Sequence, residues 1–167
     1  MDKYEWLPSE CADTRFPMRI VRGDFQCEDQ TSIYIPDNRP ILNGWGKLGS
    51  THVVGEPLKP IPTRLFIAWY SYAEDEFYSA KIALSVETIA NLFAQGFTWP
   101  GTTKRTTYSR ILVGLALEGG ISLWLVGKGV VLEIQHFVAE REKVGWLSVY
   151  GNRNIPKADF INDVMDR

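Results

Sequence analysis

Acid–base, nucleophilic or metal chemistry at neutral pH would have to be built here from two histidines, His52 and His136, two cysteines, Cys11 and Cys27, and the carboxylates. A histidine acting as general base needs a nucleophile within reach and a third group to orient its ring. The sequence has no Gly-x-Ser-x-Gly turn to expose such a serine. His136 lies in an apolar, strand-like stretch and reads as structural. His52 lies in a glycine- and proline-rich loop, where contact with solvent or a partner is the expectation. Zinc ligation calls for paired spacings such as Cys-x-x-Cys or His-Glu-x-x-His, and neither occurs. Gly127-Lys128-Gly129 lacks the upstream glycine and the following helix of a phosphate-binding loop. No metal, cofactor or catalytic residue is expected, and the chain reads as a binding protein.

Candidate binding residues are easier to name. Glu74, Asp75 and Glu76 are consecutive acids at the tip of an expected hairpin. They invite a general acid–base or calcium reading, but such a tip is usually a solvated turn. A second reading is a compact acidic knob that steers a partner with a basic rim. In Gly44-Trp45-Gly46 the flanking glycines allow positive φ, so the indole can fold back to pin its loop or project as an anchor for a partner. Trp99, in a second polar loop, is a further aromatic anchor. Cys11 and Cys27 are either one disulfide in an oxidising compartment or two reduced thiols in a cytosol.

The elements that must position these residues follow from hydrophobic period. Residues 1–16 read as an irregular polar segment, with Trp6 and Phe16 as anchors. Residues 17–27 read as a strand with Met18, Ile20 and Phe25 inward and a bulge at Gly23, and 31–35 as a short second strand. Residues 37–62 form a long loop that Pro40, Pro57, Pro60 and Pro62 stiffen, so it is expected to be ordered. Residues 64–72 and 77–84 form a hairpin. In its second arm Tyr78, Ala80, Ile82 and Leu84 share one face. Then the period changes: Val86, Ile89, Ala90 and Phe93 give the stripe of an amphipathic helix to about Gln95, with Ser85 before it and Gly96 after it. Residues 98–107 read as a loop. Residues 108–117, 121–126 and 130–138 read as a meander joined by tight turns. Glu140 to Lys143 alternate in sign, as on a charge-protected sheet edge. Residues 145–150 read as a further strand and 157–165 as a short terminal helix. The fold expected is α+β, mainly β: one domain over 1–167, an antiparallel sheet or sandwich with one central helix and a short C-terminal one.

Composition agrees with a packed β-rich domain, being 45% hydrophobic and 13% aromatic. A net charge of −2 offers no basic field for nucleic acid. The longest apolar run, from Ile111 to Leu117, has the length of a strand and not of a membrane span. Met1 to Trp6 lacks the basic and apolar regions of a secretory signal, so the chain is either cytosolic or stands without a removed leader.

Several segments in order resemble the bacterial DUF2931 family across about 17–146: Leu42-Asn43-Gly44-Trp45-Gly46, His52 to Pro62, Trp69 to Tyr78, Leu84 to Gly96, Tyr108 to Gly114, Ile121 to Leu125 and Val138 to Trp146. Members are typically small envelope lipoproteins of Gram-negative bacteria, and some lie beside lipase-like type VI secretion effectors and are thought to be their immunity proteins. The resemblance implies a periplasmic protein, lipid-anchored in its precursor, that neutralises a cognate secreted hydrolase such as a phospholipase. The alternative it leaves is an envelope lipoprotein that binds a small ligand or another envelope protein. It carries over no catalytic residues. The chain departs from the family pattern in lacking a lipoprotein signal, and Cys11 lies too deep in a polar segment to be an acylated cysteine. In a periplasm, Cys11 and Cys27 are expected to pair.

Overall fold

A computed structural model of the chain describes residues 2–50, 53–143 and 156–167; His52 and the strand expected over 145–150 lie outside them. In chain order its strands begin with β1 (Lys3–Glu5), β2 (Leu7–Ala12), β3 (Met18–Cys27), β4 (Ser32–Tyr34) and β5 (Pro40–Ile41). They continue with β6 (Leu58–Pro60), β7 (Pro62–Ser71), β8 (Glu76–Ala83), β9 (Phe97–Thr98) and β10 (Arg105–Thr106). The last are β11 (Arg110–Leu115), β12 (Gly120–Gly127), β13 (Val130–Val138) and β14 (Glu140–Glu142). The helices are α1 (Val86–Gln95) and α2 (Lys157–Met165), and a 3-10 turn spans Leu117–Gly119.

Two sheets stack as a sandwich. One is four-stranded, in the order β13-β12-β11-β2; the other runs β14-β8-β7-β3-β4, with β5 also paired to β3. Alternate residues of each strand face inward: Ile111, Val113 and Leu115 of β11 share one core with Ile121, Leu123 and Leu125 of β12 and with Leu65, Ile67 and Trp69 of β7. α1 closes one end of this core through buried Ile89 and Phe93, as its stripe required. Ser85 precedes it without a side-chain cap bond; its N–H instead donates to Gln135 Oε1 at 3.1 Å. The meander over β11–β13, the β7–β8 hairpin and α2 all lie where hydrophobic period put them.

Four sequence expectations need correction. Residues 1–16 are not irregular, because β2 forms one edge of the four-stranded sheet and pairs in parallel with β11, Leu7 opposite Arg110 through Ala12 opposite Leu115. Its polar residues are buried and bonded to the loop over 43–50. Gly49 N–H donates to Ser9 Oγ at 3.0 Å, Ser50 N–H to Glu10 Oε1 at 2.9 Å and Asn43 Nδ2 to the Glu10 carbonyl at 3.2 Å. Pro8 is tolerated because the strand is an edge.

The bulge in β3 falls at Val21, two residues before Gly23, where the register to β7 slips between Ile20 and Arg22. The slip reverses the parity of the strand, so Met18 and Ile20 before it and Phe25 after it all face the core. The loops over 37–62 and 98–107 are not wholly loop either. β6 pairs with β1, and β10 pairs with β9. Finally, Cys11 and Cys27 are free thiols held in different clusters, Cys11 against Leu112, Trp124 and Val126, and Cys27 in the main core. Burial pushes each thiol up to about 11.

Trp6 joins these N-terminal strands to the core. It is 1% exposed, donates its indole N–H to the Pro60 carbonyl at 3.1 Å and stands edge-on to Phe25 at 5.6 Å. Trp6→Ala is expected to cost about 3–5 kcal/mol in urea unfolding. A loss below about 0.5 kcal/mol, as at an ordinary surface position, would show that the segment is peripheral.

Candidate functional site

The acidic hairpin tip is built into the fold. Asp75 takes positive φ, 51°, at the turn between β7 and β8. Its Oδ1 accepts the Tyr70 hydroxyl at 2.8 Å and its Oδ2 accepts the Lys157 ammonium of α2 at 2.8 Å. Glu74 accepts the Tyr78 hydroxyl through one oxygen and the Glu118 N–H through the other at 2.6 Å. Glu76 faces Arg141 of β14 at 4.0 Å. The three acids therefore clasp the hairpin to the 3-10 turn, the edge strand and the C-terminal helix. Both phenols are held protonated. Burial, and then the bond to Glu74, pushes the Tyr78 hydroxyl up to about 12, while burial and Asp75 raise that of Tyr70.

The two candidate tryptophans occupy separate places. Trp45 stands edge-on to Trp124 at 5.1 Å, on the outer face of the four-stranded sheet, and is 42% exposed. Gly44 and Gly46 flank it at φ 111° and 73°, the positive values only glycine takes easily. Gly46 N–H donates to the Cys11 thiol at 3.4 Å and Gly44 N–H to the Ala12 carbonyl at 2.9 Å, so the loop is bonded to β2. Beneath the rings, Gly114 leaves the space that the indoles fill: a Cβ there would lie 2.5 Å from Trp124 and 3.0 Å from Trp45. Trp99 is half-buried beside the β12–β13 turn, with the Lys128 ammonium 4.3 Å above its ring. Trp45, Trp99 and the acidic tip are thus distributed over the molecule, each tied to a different neighbour.

Sequence reasoning did not foresee a serine beside His136. Ser122 Oγ and His136 Nδ1 lie 3.1 Å apart, facing each other across the β12–β13 ladder. Ser122 is 2% exposed and sits mid-strand between two ladders that use its peptide groups. A nucleophile needs its hydroxyl open to substrate and free N–H donors for the oxyanion. This pair is a cross-strand contact with its hydroxyl buried.

A surface the sequence did not announce lies on the outer face of the larger sheet. One half of that face is covered by α2, whose Phe160 and Val164 pack on Tyr70, Tyr72 and Phe77. On the other half Phe66 lies in an open groove of about 500 Å³, with the Arg22 guanidinium 5.1 Å and the Lys81 ammonium 5.8 Å from its ring centre and Arg64 in the wall. Arg22 is paired with Asp24 at 3.7 Å, whereas Arg64 and Lys81 have no acidic partner among the described residues. The groove runs into a second one, about 790 Å³, along the rim of the sheet. There β14 pairs only with Phe77, Tyr78 and Ser79 of β8, so Ala80 to Ala83 form an open sheet edge among the described residues. The one signal for this surface was Phe66 itself, an apolar residue between inward-facing Leu65 and Ile67, where alternation calls for a polar one.

Residues 1–164 match the family model described as "Protein of unknown function (DUF2931)". No curated protein and no solved structure matches the chain.

The clasp predicts an alkaline stability loss of defined sign. Tyr78 ionises at its ordinary 10.0 in an unfolded chain and at about 12 in the fold, so its stabilisation is complete below pH 10 and is lost as the pH rises to about 12. Glu74→Gln removes the charged acceptor and should move tyrosinate absorbance of the folded protein to lower pH and narrow that window. An unshifted titration would show that Glu74 does not hold the phenol.

Proposed function

The chain belongs to the DUF2931 family, and from that premise together with its open sheet edge we propose that it is an immunity protein, which binds a cognate type VI secretion effector and holds it inactive. The effector class is the one the sequence resemblance implies, a lipase-like hydrolase, and the compartment is the periplasm. The observation that carries a protein-binding role is the junction of the β8 edge at Ala80 to Ala83, open among the described residues, with the groove over Phe66. A free edge offers unpaired N–H and C=O groups to an extended segment of a partner. Phe66 offers an aromatic contact beside it, and Arg64 and Lys81 select a partner with acidic groups at that place. Both grooves are open channels on a sheet face, the form suited to a segment of another protein.

The charge that steers association is therefore positive in this reading. Glu74, Asp75 and Glu76, the residues the sequence put forward, have internal partners and contribute through the clasp alone.

Co-expression with the neighbouring effector, both directed to the periplasm, should preserve growth and yield a complex on purification. The double change Arg64→Glu and Lys81→Glu should slow association on the order of tenfold or more at low salt. Phe66→Ala should speed dissociation, while Glu74→Gln and Asp75→Asn should leave association unchanged. Equal killing with and without this protein, and no recovered complex, would refute the immunity role. Unaltered binding by the Phe66 and Arg64/Lys81 variants would move the interface elsewhere.

A further inference from the structure

Lys59 lies at the centre of β6, opposite Tyr4 in the ribbon with β1, and is 2% exposed. Among the described residues its ammonium has no hydrogen-bond acceptor and no ion-pair partner, and it stands over the face of the Trp6 indole, 5.9 Å from the ring centre. The carboxylates of Glu5 and Glu56 act on it only through space. The backbone of Gly55, also in the cavity wall, lies beside the stem: φ is +70°, and a Cβ there would lie 3.5 Å from Lys59 Cε. The stem is buried while the ammonium opens onto a cavity, and desolvation by burial lowers the affinity of Lys59 for its proton.

The amine is part of the wall of a cavity of about 280 Å³, which Trp6, Leu7, Val53, Pro57 and Arg110 also line, together with the exposed Glu5. Arg110 donates from Nη1 to the Ser109 carbonyl at 2.8 Å, which leaves other guanidinium donors for a ligand. We propose that this cavity binds a small organic carboxylate with an apolar body, its carboxylate on Lys59 and Arg110 and its body against Trp6, Leu7 and Val53. The composition of the wall selects the class. Two cationic side chains set in a mainly apolar lining suit a monoanion with a greasy portion better than a phosphate, which needs more donors around it. The size, close to the lower end of about 300 Å³ for ligand pockets, restricts the body to a short chain or single ring. The site lies on the β1–β6 ribbon and β2–β11 side, lined by residues other than those of the effector groove, so either can fail without the other.

The test is a titration of the full chain with hexanoate, hexanol and inorganic phosphate, followed by amide and indole proton–nitrogen resonances. The Trp6 indole N–H, bonded to Pro60 beside Lys59, and the Gly55 amide are the local reporters. Hexanoate is expected to shift both saturably at millimolar concentration or below, with hexanol and phosphate at least tenfold weaker. Lys59→Met, of similar length and without charge, should keep or raise the melting temperature and weaken hexanoate at least tenfold, whereas Lys59→Arg should retain binding. No saturable shift with hexanoate would overturn the proposal. An equal response to hexanol would show a plain apolar hollow, and an equal response to phosphate an unselective anion site; either outcome also overturns it. If Lys59→Met does not fold, the preference of the unaltered protein for hexanoate over hexanol decides the matter.

Discussion

The parallel ladder between β2 and β11 is the contact on which the rest of the molecule depends. It joins residues 7–12 to residues 110–115, and its continuation, Leu7 N–H on the Ser109 carbonyl at 3.1 Å, fixes where the ribbon of β1 and β6 must lie. Everything N-terminal to β3 hangs from it. The buried side chains of Ser9 and Glu10 face the loop over 43–50, and that loop in turn carries Trp45 to Trp124. Trp6 and Lys59 take their places from the same ribbon. A pairing this distant in sequence must close a long loop before it gains any contact, so it belongs among the slower steps of folding.

Glu10 shows the strain such an arrangement accepts. Desolvation raises its pKa against the opposing Ser50 N–H bond, and its Oε2 has no hydrogen-bond partner. Its other oxygen takes up the Ser50 N–H, a peptide group of the loop that would otherwise lack this acceptor. The same logic applies at the hairpin tip. There three acids in a row are tolerated because two phenols, a backbone N–H, a lysine and an arginine converge on them.

This distribution of partners explains why net charge is a poor guide to the surface. The chain is slightly acidic at −2, yet its run of three acids is tied to partners within the fold, two of them cations. Arg64 and Lys81, spaced apart in sequence, meet across the β7–β8 ladder around Phe66 and stay uncompensated. Fields that act on a partner come from charges left over after folding and not from the total.

Hydrophobic period by itself determined α1, the β7–β8 hairpin, the β11–β13 meander and the terminal helix. In each, the buried face recurs every two residues or every three to four, so a short window carries the whole signal. The tertiary structure alone decided what has no such period. β2 hides its burial behind Ser9 and Glu10, because their partners lie some forty residues away in a loop. The bulge sits at Val21 because the register of β3 is set by β7, and the two cysteines stay apart because their strands belong to different sheets. The clasp partners Glu118, Arg141 and Lys157, the groove over Phe66 and the unpaired Lys59 likewise arise from chain segments remote in sequence. Periodicity reports which way a side chain faces; only the assembled sheets decide what it meets there.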